Sequence, residues 1–570
     1  MIIILENGIF RFLLIFLLLI LPGIVHANTR EIVELSHLHA YDVPSTKLIS
    51  TDIGLVLSWA QECKKLSIKA CRGEYEPASI VVHSNMRYSD VCCRWSALIS
   101  ESSIIPAGSL DVRIVKAWYQ AGSISPLKTV KTFTHELLLK DDSLVIVDTV
   151  RKMNWLRMHS EKGIRYQDIS TPSVVFPLKD TIYDSDTIMP FSLGPNGFKQ
   201  LWITLHVPVF TKSGDYYGIF HLVNNSHDTL LSLPMKIEVL PFDLTPARLT
   251  YSLYYHGVLV DAPTPLTCSE KSAKQLRQEL LDMQKHGVTN PTCYQSLMRL
   301  EEHLKIRNEL GFSQDKLYYL GITTGASLDS AVLEAKRMGI QNLKNIVNSM
   351  GYRNLFIYGV DEARGKILAK QRKAWKAVHL AGAKIFAAGA VELIDSMSGL
   401  LDVGIVAYAL HPKYARRFHA AGAKIFSYAN PQVGVENPET YRRNYGFALF
   451  KSGYDGAMDY AYQKNYKAIW NDFDEAVSSR TGKKKPYRDE TFVYPTSNGL
   501  IPTIQWEGFR EAVDDVRYLS TLLDRIEVLK AKGHDMSRYE SWVNALDPTE
   551  DLDALRAAVV EQIQILSSVK

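Results

Sequence analysis

Cysteine is scarce in this chain: six among 570 residues, Cys63, Cys71, Cys92, Cys93, Cys268 and Cys293. None forms a CxxC pair or a Cys/His cluster at zinc spacing, so no structural metal is expected. Cys92 and Cys93 are chain neighbours and do not readily bond each other, and pairing of either with Cys63 or Cys71 stays open. Net charge is low as well, at +4, and no basic stripe interleaves with aromatics, which argues against nucleic acid as a partner. The densest basic run, Lys483-Lys484-Lys485, sits between Gly482 and Pro486 and reads as a solvated loop. No Gly-rich phosphate loop follows any apolar run, so neither a nucleotide fold nor a cofactor is indicated. Long apolar stretches are missing except at 12–21, which falls short of the roughly 20 residues a membrane helix needs. That run leads into Pro22-Gly23 and Val25-His26-Ala27, the pattern of a secretory signal with a cleavage site after a small residue. Arg11 is offset by Glu6, which keeps an uncleaved anchor as the competing reading, and no Cys follows closely enough for a lipoprotein. The expected location is secreted or periplasmic.

What is present divides into parts, as expected for a chain too long for one ordinary core. Residues 1–27 read as the signal peptide and 28–246 as a β-sandwich. In the latter, runs such as 110–115, 201–207 and 235–240 alternate apolar with polar. Turn clusters such as Lys212-Ser213-Gly214-Asp215 and Asn224-Asn225-Ser226 separate them. From 247 to 505 the texture changes to strand–helix alternation. Eight candidate strands, 249–257, 287–294, 316–325, 354–362, 384–390, 403–410, 424–430 and 454–462, predict a (β/α)8 barrel of the TIM type. Helical stretches such as 363–380 and 438–451 intervene. Ala381-Gly382-Ala383-Lys384-Ile385-Phe386 recurs as Ala421-Gly422-Ala423-Lys424-Ile425-Phe426, each a helix-ending glycine feeding a parallel strand. Residues 506–570 read as C-terminal helices, over 507–532 and 551–568. The expected class is α/β, a barrel preceded by a sandwich and followed by helices.

One end of such a barrel gathers the C-terminal ends of its strands into a shared mouth. There the sequence presents Tyr254 and His256, Tyr294, the adjacent acids Asp361 and Glu362, Tyr408, Tyr428 and Asn430, and Asp459 with Tyr460. Trp470, Trp506 and Glu507 follow. Aromatic faces and hydrogen-bonding groups in one concavity suit a sugar, whose C–H faces stack while its hydroxyls find polar partners. Glycoside hydrolysis requires a proton donor and a group that stabilises charge at the anomeric centre, and two adjacent carboxylates can divide those tasks. The plainer alternative is that Asp361 caps a helix and Glu362 lies in its first turn. Trp470 and Trp506 have a plainer alternative too, as wedges between barrel and helices. A strand sends consecutive side chains to opposite faces, so both acids serve one pocket only if the chain leaves β geometry at Asp361.

Val360-Asp361-Glu362 at the end of the fourth strand resembles the Asp-Glu pair of glycoside hydrolases that use the substrate's own acetamido group as nucleophile. Three further stretches resemble glycoside hydrolase family 123: Arg72-Gly73-Glu74-Tyr75-Glu76-Pro77, Tyr441-Arg442-Arg443-Asn444-Tyr445-Gly446 and Gln505-Trp506-Glu507-Gly508-Phe509-Arg510-Glu511. That family groups β-N-acetylgalactosaminidases and related barrel proteins, with sandwich, barrel and helices in this order. The resemblance implies Glu362 as general acid and later base. It implies Asp361 as the ionised group that holds the 2-acetamido N–H, Tyr408 or Tyr428 as donor to the acetamido oxygen, and Trp470 or Trp506 as pocket floor. It also implies an oligo- or polysaccharide substrate. Two alternatives stand beside this expectation: a glycosidase of another linkage, with Asp459 or Glu507 as separate nucleophile or base, and a non-catalytic polysaccharide-binding protein. The glycan, exo or endo action and oligomeric state are not legible in the sequence.

Overall fold

The computed structural model describes residues 38–121, 130–172, 179–263, 266–477, 482, 484–486 and 488–569. The expected signal segment lies outside these, and so does Lys483 of the lysine run. Among the described residues no helix is long and apolar enough to cross a membrane. All six cysteines are free thiols, so the pairing left open above is not made.

Two sheets face each other in the N-terminal part. One has six strands, in the order Gln61–Glu62, Leu38–Val43, Tyr75–Ser84, Gly197–His206, Leu110–Ala121 and Lys131–Leu139. The other is built on Tyr88–Trp95, Gly214–Val223 and Thr229–Val239, with Leu66–Ala70 paired parallel at its edge. Alternation along Gly197–His206 turns Leu201, Ile203 and Leu205 into the core between the sheets. Trp202 points the other way and packs with Val115, Leu138 and Ile504. Both faces of this strand are therefore buried, one of them against a helix from the far end of the chain. Full burial of one side chain of the size of Ile504 stabilises by about 1.5–3 kcal/mol.

The second part is a curled sheet of seven parallel strands: Thr250–Leu253, Gly456–Asp459, Lys424–Tyr428, Val403–Ala407, Lys384–Gly389, Asn354–Tyr358 and Lys316–Thr323, in spatial order. The expected second strand, 287–294, is not a regular one. Pro291 lacks a donor for a ladder there. The segment still bonds to both sheet edges: Thr292 N–H donates to the Leu253 carbonyl at 3.0 Å, and Cys293 N–H to the Tyr318 carbonyl at 2.8 Å. Inside the sheet, Tyr318 packs on Phe356 and Phe386 with ring centroids 4.9 and 5.2 Å apart. The sequence echo has a physical counterpart. Gly382 and Gly422 have φ of +74° and +77°. Beyond each, an aspartate binds a strand N–H and a histidine: Asp402 takes Ile385 and His379, and Asp455 takes Ile425 and His419.

The C-terminal helices are Ile504–Ala531, Ser537–Ala545 and Leu552–Ser567. The first begins three residues before the expected start, where the Thr503 side chain accepts from Trp506 N–H, so a domain boundary after 505 falls inside its first turn. Residues 504–516 of this helix are buried throughout, because the sandwich and the curled sheet's layer both pack on it, and the expected (β/α)8 barrel is present as this seven-stranded curled sheet. Gly508 allows this approach, since a Cβ there would come within 2.3 Å of the Pro438 carbonyl oxygen.

A buried charge network joins the three parts. Arg556 of the last helix contacts Asp515 at 2.6 Å, Glu511 at 2.7 Å and Glu76 of the sandwich at 3.0 Å. Arg442, on the helix Pro438–Tyr445 between two strands of the curled sheet, shares Asp515 at 2.8 Å. The Tyr518 hydroxyl donates to Glu74 at 2.8 Å. Removing one partner strands the others as uncompensated buried charges. Arg556→Leu should therefore cost about 3–5 kcal/mol of stability in chemical denaturation. Lys179→Ala, which removes an exposed partner of Glu161, should leave the midpoint nearly unmoved.

Candidate active site

Along Asn354–Tyr358, Leu355 and Ile357 face the helical layer, while Phe356 and Tyr358 face the sheet interior. The strand then stops. Gly359 N–H donates to the Phe386 carbonyl at 3.0 Å, and a Cβ on Gly359 would come to 3.0 Å from both Ala387 and Trp375, so a larger residue would crowd these side chains. Val360 N–H donates to the Gln371 side-chain oxygen at 2.8 Å, and the same oxygen accepts from Trp375 Nε1 at 3.1 Å. Gln371 is fully buried and clamps the bend from behind. Glu362 itself has φ of +44°, outside strand geometry. The helix that follows starts at Gly365 after Arg364, so neither acid caps it, and the capping alternative falls away.

This bend turns both carboxylates toward one mouth. The Tyr358 hydroxyl donates to Asp361 Oδ1 at 2.6 Å, and the Tyr428 hydroxyl, reaching over from another strand, donates to Glu362 Oε1 at 2.6 Å. The Tyr254 hydroxyl in turn donates to Tyr358 at 3.2 Å. Partial burial and the adjacent Glu362 charge raise the Asp361 pKa above its ordinary value, against the pull of the Tyr358 hydrogen bond. Residues just past three strand ends carry positive φ without being glycine: Glu362, Tyr408 at +72° and Ala429 at +49°. Such backbone persists only where the surroundings over-determine it, and it clusters at functional sites.

Tyr254, His256, Tyr294 and Tyr460 form one wall of the mouth. His256 stacks on Tyr294 with centroids 4.4 Å apart, and its Nε2 lies 3.1 Å from the Tyr460 hydroxyl. Burial, then the Lys464 charge, pushes the His256 pKa down to about 4, which keeps the imidazole neutral near pH 7. The Asp361 charge acts on the Tyr294 and Tyr460 hydroxyls, which puts this wall within its electrostatic reach. Tyr408 stands at the rim, 75% exposed. Asn430 is half-buried and accepts from Asn444 at 3.3 Å, stabilising the loop after the Lys424–Tyr428 strand.

Four expected ligands lie elsewhere. Asp459 is fully buried beneath the mouth, where its Oδ1 accepts the N–H groups of Ala429 and Tyr460 at 2.8 and 3.0 Å. Burial pushes its pKa up to about 7. It props rim residues from below. Trp470 is packed between Trp118 and Tyr494 at the seam with the sandwich. Trp506 stacks on His286 at 4.2 Å in the helical layer and donates to Asp282. Glu507 is buried against Arg510 at 2.5 Å and His286 at 3.3 Å. Large apolar area drew both tryptophans into packing seams, and Glu507 is held by its ion pairs. Tyr358 and Gln371, which hold the bend, were not expected as site residues from sequence. Tyr358 adjoins the acid pair and is within reach of the periodicity argument, whereas a buried glutamine carries no sequence signal.

No family model matches the chain, and no curated protein matches it. Among solved structures, a family 123 glycoside hydrolase from Clostridium perfringens superposes at a TM-score of 0.64, covering 94% of this chain and 100% of its own, at 11% identity. The fold is that of a family 123 glycoside hydrolase. A β-glucuronidase from Parabacteroides merdae reaches a TM-score of 0.29 at 9% identity, over 84% of this chain and 52% of its own. An endo-β-1,4-mannanase from Thermotoga petrophila reaches 0.27 at 11% identity, over 48% and 77%. Nothing about this chain follows from scores that low.

The Tyr358 hydroxyl favours the ionised form of Asp361 by donating to it, so its removal raises the carboxyl pKa. Tyr358→Phe should therefore move the Asp361 titration, followed by carboxyl-carbon NMR, to higher pH than in the unmodified protein. An unchanged titration would mean that this hydrogen bond does not tune the acid.

Proposed function

We propose that the protein is a retaining glycoside hydrolase that cleaves β-linked N-acetylhexosaminides, with N-acetylgalactosaminides as the first expectation, by substrate-assisted catalysis. The observation that carries this reading is the adjacent pair Asp361 and Glu362, turned to one mouth and held by two different tyrosines. The fold shared with a family 123 glycoside hydrolase supports it.

Glu362 donates its proton to the glycosidic oxygen as the bond to the anomeric carbon breaks. Asp361, ionised, accepts the acetamido N–H and so aims the acetamido oxygen at that carbon. The oxygen bonds to the carbon from the face opposite the leaving group, giving a cyclic oxazolinium ion. Glu362, now a carboxylate, takes a proton from water as the water adds to the anomeric carbon. Two inversions leave the configuration retained, and no enzyme carboxylate bonds to the sugar, as in other substrate-assisted families. The Tyr428 hydroxyl is engaged with Glu362, which leaves the exposed Tyr408 as donor to the acetamido oxygen. The aromatic wall of Tyr254, Tyr294 and Tyr460 takes over the stacking role first expected of tryptophan. In this reading the apolar run at 12–21 exports the enzyme to glycans outside the cytoplasm.

A glycosidase of another linkage needs its own nucleophile or base, and Asp459 and Glu507 are committed to buried partners. Chromogenic β-N-acetylgalactosaminides and N-acetylglucosaminides should be hydrolysed, with substrates lacking the 2-acetamido group cleaved far more slowly. Equal cleavage of the latter would sink the substrate-assisted route. Glu362→Gln should lower kcat/KM by about 10²–10⁴-fold, least with leaving groups that need no protonation. Asp361→Asn should lose activity with every leaving group, since the acetamido group is no longer held. Near-normal turnover in either variant removes that residue from the mechanism.

A further inference from the structure

A third carboxylate, Glu490, lies on a segment bonded to the chain just past Tyr460 of the aromatic wall, where Phe492 N–H donates to the Tyr462 carbonyl at 3.0 Å. Glu490 is half-buried in the segment that follows the Gly456–Asp459 strand. Its Oε2 accepts from the Tyr466 hydroxyl at 3.0 Å, and its backbone N–H donates to the Lys464 carbonyl at 2.9 Å. The arrangement repeats that of Asp361 with Tyr358 and of Glu362 with Tyr428: one oxygen held by a tyrosine hydroxyl, the other taking no side-chain donor among the described residues. Glu490 makes no ion pair with a described residue, although the Lys464 charge is felt there. Burial pushes its pKa up to about 7, against the pull of Tyr466 and Lys464.

The backbone carrying Glu490 is anchored from both domains. Arg488, 1% exposed at its side chain, pairs with Glu136 of the sandwich at 3.1 Å and with Glu436 at 2.5 Å. Asp489 accepts from Tyr466 N–H at 3.0 Å. The Tyr460 hydroxyl, bonded to His256, feels the charges of both Glu490 and Asp361. A rigidly presented, half-buried carboxylate that caps no helix and closes no salt bridge with a described residue is a candidate ligand group.

Resting on the reading above, we propose that Glu490 is a specificity-determining residue that accepts hydroxyls from the sugar whose acetamido group Asp361 holds. A hexosamine carries its C2 acetamido group at one end of the ring and its C4 and C6 hydroxyls toward the other. A carboxylate on the segment bonded just past Tyr460 suits those hydroxyls, which donate to it as an acceptor. Because galacto and gluco sugars differ at C4, Glu490 sets the preference between them, and Tyr460 with His256 backs the ring.

The test compares Glu490→Ala and Glu490→Gln with the unmodified protein on paired N-acetylgalactosaminide and N-acetylglucosaminide substrates. Losing a charged acceptor should raise KM about 10- to 100-fold for the preferred sugar, more than kcat falls, and collapse the preference between the two sugars. The glutamine variant should keep part of both. A KM and preference unchanged in Glu490→Ala overturn the proposal, as does a fall in thermal midpoint that accounts for all lost activity. If the unmodified protein cleaves neither substrate, the hydrolase reading fails by itself. Calorimetric titration of Glu362→Gln, with and without Glu490→Ala, using the free N-acetylhexosamines then decides. Binding weakened tenfold or more by Glu490→Ala supports the proposal. Equal binding, or none in either protein, overturns it.

Discussion

Arg556 and Arg442 share one buried carboxylate, Asp515, and the architecture turns on that contact. Taking these charges out of water costs several kcal/mol per ion, offset only when every partner is present. The partners come from three places: Glu74 and Glu76 from the sandwich, Arg442 from between barrel strands, and Asp515, Tyr518 and Arg556 from the C-terminal helices. A network of this kind tolerates one relative arrangement of the three parts. The stretches that resemble family 123 away from the acid pair converge on this junction. Arg72-Gly73-Glu74-Tyr75-Glu76-Pro77 supplies its sandwich acids, and Tyr441-Arg442-Arg443-Asn444-Tyr445-Gly446 supplies its arginine. Gln505-Trp506-Glu507-Gly508-Phe509-Arg510-Glu511 supplies Glu511 and the glycine that lets the helices touch. They read as architecture rather than chemistry.

From this junction two rigid paths lead to the mouth. Arg442 and Tyr445 lie on the Pro438–Tyr445 helix. The Tyr445 hydroxyl accepts from Asn430 N–H at 3.1 Å and donates to the Pro431 carbonyl at 3.2 Å, fixing the loop just past Tyr428, whose hydroxyl holds Glu362. On the other side the sandwich residue Glu136 holds Arg488, two positions before Glu490. The sandwich therefore helps decide where the mouth's groups stand. Catalytic geometry held to fractions of an ångström needs such support, because side chains on loops are otherwise too loose to work on one bond.

Much of the fold was legible. Seven of eight expected strands appear within a few residues of their expected positions, because buried parallel strands read as short apolar runs between helical stretches. The exception, around Pro291, bonds to its neighbours without regular geometry, as a residue lacking N–H dictates. The glycine echo at 381–386 and 421–426 marked real helix ends. The grouping of side chains was legible where chain proximity or strand ends defined it: Asp361, Glu362, Tyr254, His256, Tyr294, Tyr408 and Tyr428 lie about one mouth. Beyond the last strand the expected grouping is not formed. Trp470, Trp506 and Glu507 were drawn into packing and ion pairs that no local pattern announces, and Asp459 stands one layer too deep.

The sequence by itself determined the order of the parts, the strand register that points Tyr358 inward, and the adjacency of two acids at a strand end. These are local properties, set by alternation, turn chemistry and covalent neighbourhood. Only the tertiary structure decided that Asp361 and Glu362 turn to one mouth, because that depends on a bend clamped by Gln371, at the junction of the two following helices, and on a tyrosine from another strand. It alone decided that Glu490, about 130 residues further along, is bonded through its N–H to the Lys464 carbonyl, four residues past Tyr460. Contacts between residues so distant are selected by the packing of whole elements, and no window of sequence contains that choice.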